Sequence, residues 1–174
     1  MAQVVDHTAV DGVPSLPQAV MDEIGQQRWL FTHASVGSNM VDGLSDLHGA
    51  NPARYHLVTE WVGFDDGQQQ ASPPPATTVP GTVYECPRDN PGWSAKLTIF
   101  DNSVRTAGWR APAVDVAMDK LCYIDEDAEA VVYTATMSAL EAAFPATVFV
   151  YVTMPLTTGE DYANVQRNEY NDAV

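Results

Sequence analysis

The chain has 174 residues and a formal net charge of -15, from 23 acidic and 8 basic residues. That length is one domain. So acidic a balance argues against nucleic acid and anionic membrane surfaces as partners, because both repel a negative protein. Hydrophobic residues make up 45 %, ordinary for a globular chain, and no apolar run reaches the ~20 residues that span a bilayer.

The opening "MAQVVDHTAVDGVPSL" has neither the basic nor the apolar region of a signal peptide. This leaves a cytoplasmic protein or a mature secreted one. "PSLPQAVMDEIGQQ" reads as a short helix, so residues 1–27 form a tail and helix ahead of an α/β domain over 28–174. In "RWLF" the continuous apolar run of Trp29, Leu30 and Phe31 predicts a strand covered on both faces. "THASVGS" then turns, and Met40, Leu44 and Leu47 recur at helical spacing.

Tyr55–Phe64 reads as a second strand. The polar, proline-rich segment 65–81 predicts a surface loop. "TVYEC" is a third strand and "PRDNPGW" a turn-rich loop. Trp93, Leu97, Phe100 and Val104 then mark one face of a helix. "AVDVAMDKLCYI" is a fourth strand, and Tyr133, Met137, Leu140 and Phe144 another helical stripe. "TVFVYVTMPL" reads as the clearest strand, and a central one; a last helix carries "NVQRNEYN". Strands alternating with helices imply βαβ units, right-handed crossovers and a mainly parallel sheet in a three-layer α/β/α domain. Ligands bind beyond the carboxyl ends of such strands, here the loops at 33–38, 86–93, 123–128 and 154–160. Cys86 and Cys122 match no zinc spacing; they pair with each other or, the simpler reading, stay as buried thiols.

The blocks "FTHASVGSNMVDGL", "NPGWSAKLTIF", "VDVAMDKLCYID", "TVFVYVTMPLT" and "NVQRNEYN" come in an order that resembles SGNH/GDSL-type hydrolases. The likeness is to the divergent branch whose nucleophile block reads like HxSVG. It implies a flavodoxin-like fold, no cofactor, and hydrolysis of a small-molecule or carbohydrate ester. It implies Ser35 as nucleophile, with its own amide as one oxyanion donor, and Gly92 as a second donor. Tyr123 and Asp125 stand where the family offers an asparagine as third donor. A tyrosine hydroxyl can donate; an ionised aspartate cannot. The resemblance further implies a strand and an Asp-x-x-His block after "NVQRNEYN", which have no counterpart before Val174.

A serine hydroxyl needs a base, usually a histidine. His33 lies two residues before Ser35, on the same side of the strand but poorly placed for in-line proton transfer. It is expected to line the pocket or to bond a loop backbone. His7, His48 and His56 read as structural or solvated. Asn90 is a turn residue with a spare donor. A solvated strand end is expected for Lys120, with Asp119 and Asp125 as partners if it is buried. The acidic run "DEDAE" reads as a solvated helix start. The rival to an ester hydrolase is a non-catalytic binding domain on the same scaffold. Its pocket of His33, Trp93 and Tyr123 would hold a sugar or a partner by stacking and hydrogen bonds.

Overall fold

The computed structural model describes residue 9 and residues 11–158 and 162–174; His7 lies outside them. The elements are α1 (Gln18–Ile24), β1 (Trp29–His33), α2 (Val36–Ala50), β2 (Val58–Trp61), β3 (Phe64–Asp65), β4 (Gln70–Ala71), β5 (Thr82–Pro87), α3 (Trp93–Asn102), β6 (Val116–Asp119), α4 (Ala130–Ala143), β7 (Val148–Val150) and α5 (Ala163–Ala173). A π-helical turn, Ser103–Ala107, extends α3. Five strands form one parallel sheet in the order β2-β5-β1-β6-β7, flanked by helices in a three-layer α/β/α arrangement.

One sheet face carries Leu30, Tyr84, Ala117 and Phe149 in register. It packs into the main core with Leu97 and Phe100 of α3, Tyr133, Met137 and Leu140 of α4, and Tyr170 of α5. The opposite face carries Trp29, Phe31, Val83 and Met118, with α2 alongside. Handedness explains the division. From β1 the chain crosses the sheet in one direction to β2, whereas β5 to β6 and β6 to β7 run the other way. Right-handed crossovers then put α2 on one face and α3 and α4 on the other.

Counting only the sheet strands, the order is 2-3-1-4-5; a flavodoxin order is 2-1-3-4-5. β5 lies inside, with Thr82, Val83 and Tyr84 all buried, and the largely exposed β2 forms an edge. β1 is the central strand, flanked by β5 and β6. The run "TVFVYVTMPL" is not central: it gives a three-residue edge strand with Val148 62 % exposed. Beyond Val150 its backbone binds helix side chains instead. The Val152 amide donates to the Tyr133 hydroxyl (3.0 Å) and the Met154 amide to Asn171 Oδ1 (2.7 Å).

The second strand likewise shrinks from 55–64 to Val58–Trp61. The proline-rich segment is not wholly a surface loop. It contains all of the β3–β4 hairpin except Phe64, and Gln70 and Ala71 are buried against the π turn, where the Ala71 amide donates to Ser103 Oγ (2.8 Å). Cys86 and Cys122 are free and buried, and burial pushes the Cys86 thiol up to about 12.

Candidate active site at the end of the central strand

β1 and β5 are neighbours whose following helices depart to opposite faces, so the crevice between their carboxyl ends is a topological switch point. Ser35 ends β1 on one side of it, and the 88–92 loop ends β5 on the other.

Ser35 is exposed, with φ 51° and ψ -116°. The Gly37 amide donates to the Ala34 carbonyl (3.0 Å), so residues 34–37 close a II′-like turn with serine at the corner that glycine normally takes. Such a backbone costs on the order of 1–3 kcal/mol and clusters at functional sites. Strand, strained serine, then helix is the geometry of a nucleophile elbow, which lifts a hydroxyl clear of the sheet. Ser35 makes no capping bond to α2. Among the described residues its amide donates to no acceptor, and neither does that of Gly92.

Gly37 explains the rest of the motif. A Cβ there would collide with His33 Cβ and lie 2.8 Å from its Nδ1. The helix therefore lands directly on the His33 ring, and only glycine permits it. Gly37→Ala is expected to cost about 1–3 kcal/mol from overpacking, measured as a lowered urea midpoint.

His33 is 1 % exposed. Its Nε2 meets Glu85 Oε2 at 2.7 Å and its ring stacks on Phe31. Nδ1 is buried without a partner among the described residues. Burial holds its pKa below the ordinary 6.5; the Glu85 bond pulls upward, while the nearby Arg88 and Lys120 charges push down with burial. At 1 % exposure we take desolvation to win. A neutral ring donates Nε2–H to an ionised Glu85 and leaves Nδ1 bare beneath Gly37. His33 thus bonds a strand carboxylate, not a loop backbone, and lines no open pocket. Because the unfolded chain takes up this proton first, the contribution to stability is complete above pH ~6.5 and declines as pH falls below it toward the lowered folded value. NMR titration of the His33 ring is expected to give a midpoint below 6.5; a higher midpoint would show the Glu85 attraction prevailing.

Beneath these loops lies a buried charged layer that the sequence reading did not assemble. Arg88, fully enclosed, donates to Asp119 Oδ1 through Nε (2.9 Å) and Nη2 (2.6 Å), and to the Lys120 carbonyl (2.9 Å). Thr32 Oγ1 also donates to Asp119 Oδ1 (2.5 Å), and the Arg88 amide to the His33 carbonyl (2.9 Å). Lys96 Nζ meets Asp125 Oδ2 at 2.5 Å, and that oxygen also accepts the Cys122 amide (2.6 Å). Lys120 is buried, not solvated. Its Nζ donates to the Leu121 carbonyl (2.8 Å) and approaches Cys122 Sγ (3.7 Å), and burial lowers its pKa. Neither expected carboxylate is its partner, because Asp119 holds Arg88 and Asp125 holds Lys96. Four of the eight basic residues (Arg88, Lys96, Lys120 and Arg167) are therefore interior. The clue was the scarcity of basic residues combined with their position at strand ends in "PRDNP" and "MDKL".

No protein-family model, curated protein or solved structure matches this chain.

The remaining candidates divide. Gly92 caps α3 at φ 93° and ψ 154°, a conformation open to glycine, and exposed Asn90 stands with it in the loop that follows β5. Trp93 packs against the core and lines the depression between α3 and α4, beside Leu97 and Val132, not the crevice. Tyr123 is 40 % exposed beyond β6, and its carbonyl accepts Arg167 Nε (2.6 Å). Asp125 is 1 % exposed and tied to Lys96, so it leaves the acidic run for the interior and presents nothing to a ligand. His33, Trp93 and Tyr123 do not share one pocket. His48 Nδ1 meets the Tyr55 carbonyl (2.8 Å) and His56 meets Asp22 (2.9 Å), both engaged away from Ser35.

Proposed function

We propose that this chain is a serine-dependent ester hydrolase of the SGNH type, acting through an acyl-enzyme on Ser35. The observation that carries the reading is the exposed serine at φ 51° and ψ -116°, a strained corner at the switch point with an uncommitted amide beside it. In this reaction Ser35 Oγ attacks the ester carbonyl carbon and the carbonyl electron pair moves onto oxygen. The Ser35 and Gly92 amides and the positive end of α2 receive that charge. The tetrahedral species collapses, the C–O bond to the alcohol breaks, and water later releases the acid by the same route.

Among the described residues no histidine is placed to take the Ser35 proton, so a base supplied from solution is a direct test of the serine. Imidazole added to the protein is therefore expected to raise p-nitrophenyl acetate hydrolysis in proportion to its concentration, with the increment absent in Ser35→Ala. A fluorophosphonate is expected to add its phosphonyl mass to the peptide containing Ser35. Equal rates for wild type and Ser35→Ala, with no adduct, would remove the serine from the chemistry. The sealing of His33 favours the second reading, a non-catalytic binding domain, and that same negative result would select it.

A further inference from the structure

α2 is the long helix on its face of the sheet, while α3, α4 and α5 cover the other. A parallel sheet normally has both faces buried. Here an apolar groove of about 780 Å³ runs along α2, lined chiefly by Trp29, Phe31, Met118, Met40, Leu44 and Leu47. Met40 and Leu47, two of the three apolar residues that recur at helical spacing in the sequence, stand 41 % and 43 % exposed along it. Met40, at the lip, is five residues past Ser35, or ~7.5 Å along the helix axis. The groove continues to Ala50, a run of ~15 Å from Met40 at the helical rise.

We propose that this groove takes the acyl chain of the ester, so that the substrates are esters of medium- to long-chain fatty acids; this rests on the Ser35 reading above. Three observations select the occupant. The volume falls in the ~300–1,000 Å³ range of small-ligand sites. Among the described residues Asp46 is the one charged lining residue, so those residues offer almost no partner for the amides an extended peptide would bring, and an alkyl chain has none to satisfy. A second copy of the chain would bring another -15 of charge against the first. On this reading the chain enters the groove past exposed Met40, the first lining residue after Ser35 along the sequence.

Gly43 supplies the test. It lines the groove, and an added Cβ there meets nothing within 4 Å, so Gly43→Trp projects a ring into open space and leaves the packing of α2 as it is. Each buried methylene is worth about a fourfold gain in binding. We expect kcat/KM for p-nitrophenyl octanoate to exceed that for the acetate at least tenfold, and Gly43→Trp to cancel that ratio. Independently of turnover, the neutral fluorophore N-phenylnaphthylamine is expected to bind wild type and Ser35→Ala saturably, to be displaced by octanol, and to bind Gly43→Trp at least tenfold more weakly. Loss of all Ser35-dependent hydrolysis with fluorophore binding intact would defeat the esterase reading and leave an apolar-ligand groove. A chain-length ratio that Gly43→Trp does not change, fluorophore that octanol does not displace, or a dimer by sedimentation that Gly43→Trp dissolves, would each overturn the acyl assignment.

Discussion

Ser35→Gly is expected to abolish fluorophosphonate labelling and Ser35-dependent hydrolysis completely, and yet to be about 1 kcal/mol more stable to urea than Ser35→Ala. Both substitutions remove the hydroxyl, so both lose the chemistry. They differ in backbone. Alanine keeps a Cβ at φ 51° and ψ -116° and so keeps the steric strain of order 1–3 kcal/mol. Glycine relieves it and gives back part of the gain, because an unfolded glycine has more conformations to lose. The sign of the difference separates a serine held under strain from a tolerated turn residue. If Ser35→Ala is as stable as Ser35→Gly, the corner stores no strain and the elbow argument loses its energetic basis.

Breaking the Arg88–Asp119 pair is expected to have the largest effect on stability. Both side chains are 0 % exposed. Asp119 Oδ1 gathers Thr32 and both guanidinium bonds, so one carboxylate fastens β1, β6 and the loop after β5 together. Arg88→Met should strand that carboxylate in the interior at a cost of about 3–5 kcal/mol, whereas replacing both partners with apolar residues of similar volume should cost far less. Urea denaturation of Arg88→Met, Asp119→Leu and the double variant measures the difference. A double-variant loss equal to the sum of the two single losses would mean that the two side chains act independently, through packing and not through their charge pairing. Since the 88–92 loop carries Gly92, the double variant, if it folds, should also label more slowly at Ser35 than wild type.

The carboxyl-end rule places the candidate site region from sequence. A strand ending at His33, a serine, a glycine two residues on and a helix are all written locally in "FTHASVGSNM". The stripes of α3 and α4 are local as well: Leu97, Phe100, Val104, Tyr133, Met137 and Leu140 are all buried, because helical spacing alone decides which side chains share a face. Strand order is not local. "TVFVYVTMPL" is more apolar than "TVYEC", yet the former contributes to the edge and the latter lies inside, since crossover direction, not hydropathy, assigns neighbours.

The role of His33 was equally out of reach. Sequence places it two residues from Ser35, but the Glu85 carboxylate that holds it comes from the adjacent strand, 52 positions away. Arg88 and Asp119 meet across 31 positions and Lys96 and Asp125 across 29; nothing in local periodicity pairs one acidic residue out of 23 with one basic residue out of 8. The chain by itself therefore determined which segments become helix and strand and where a serine emerges between them. The partner of each buried charge, the sealing of His33 and the uncovered side of α2 were decided only by tertiary structure, because burial and electrostatic pairing depend on distance in space, and the crossovers set that distance.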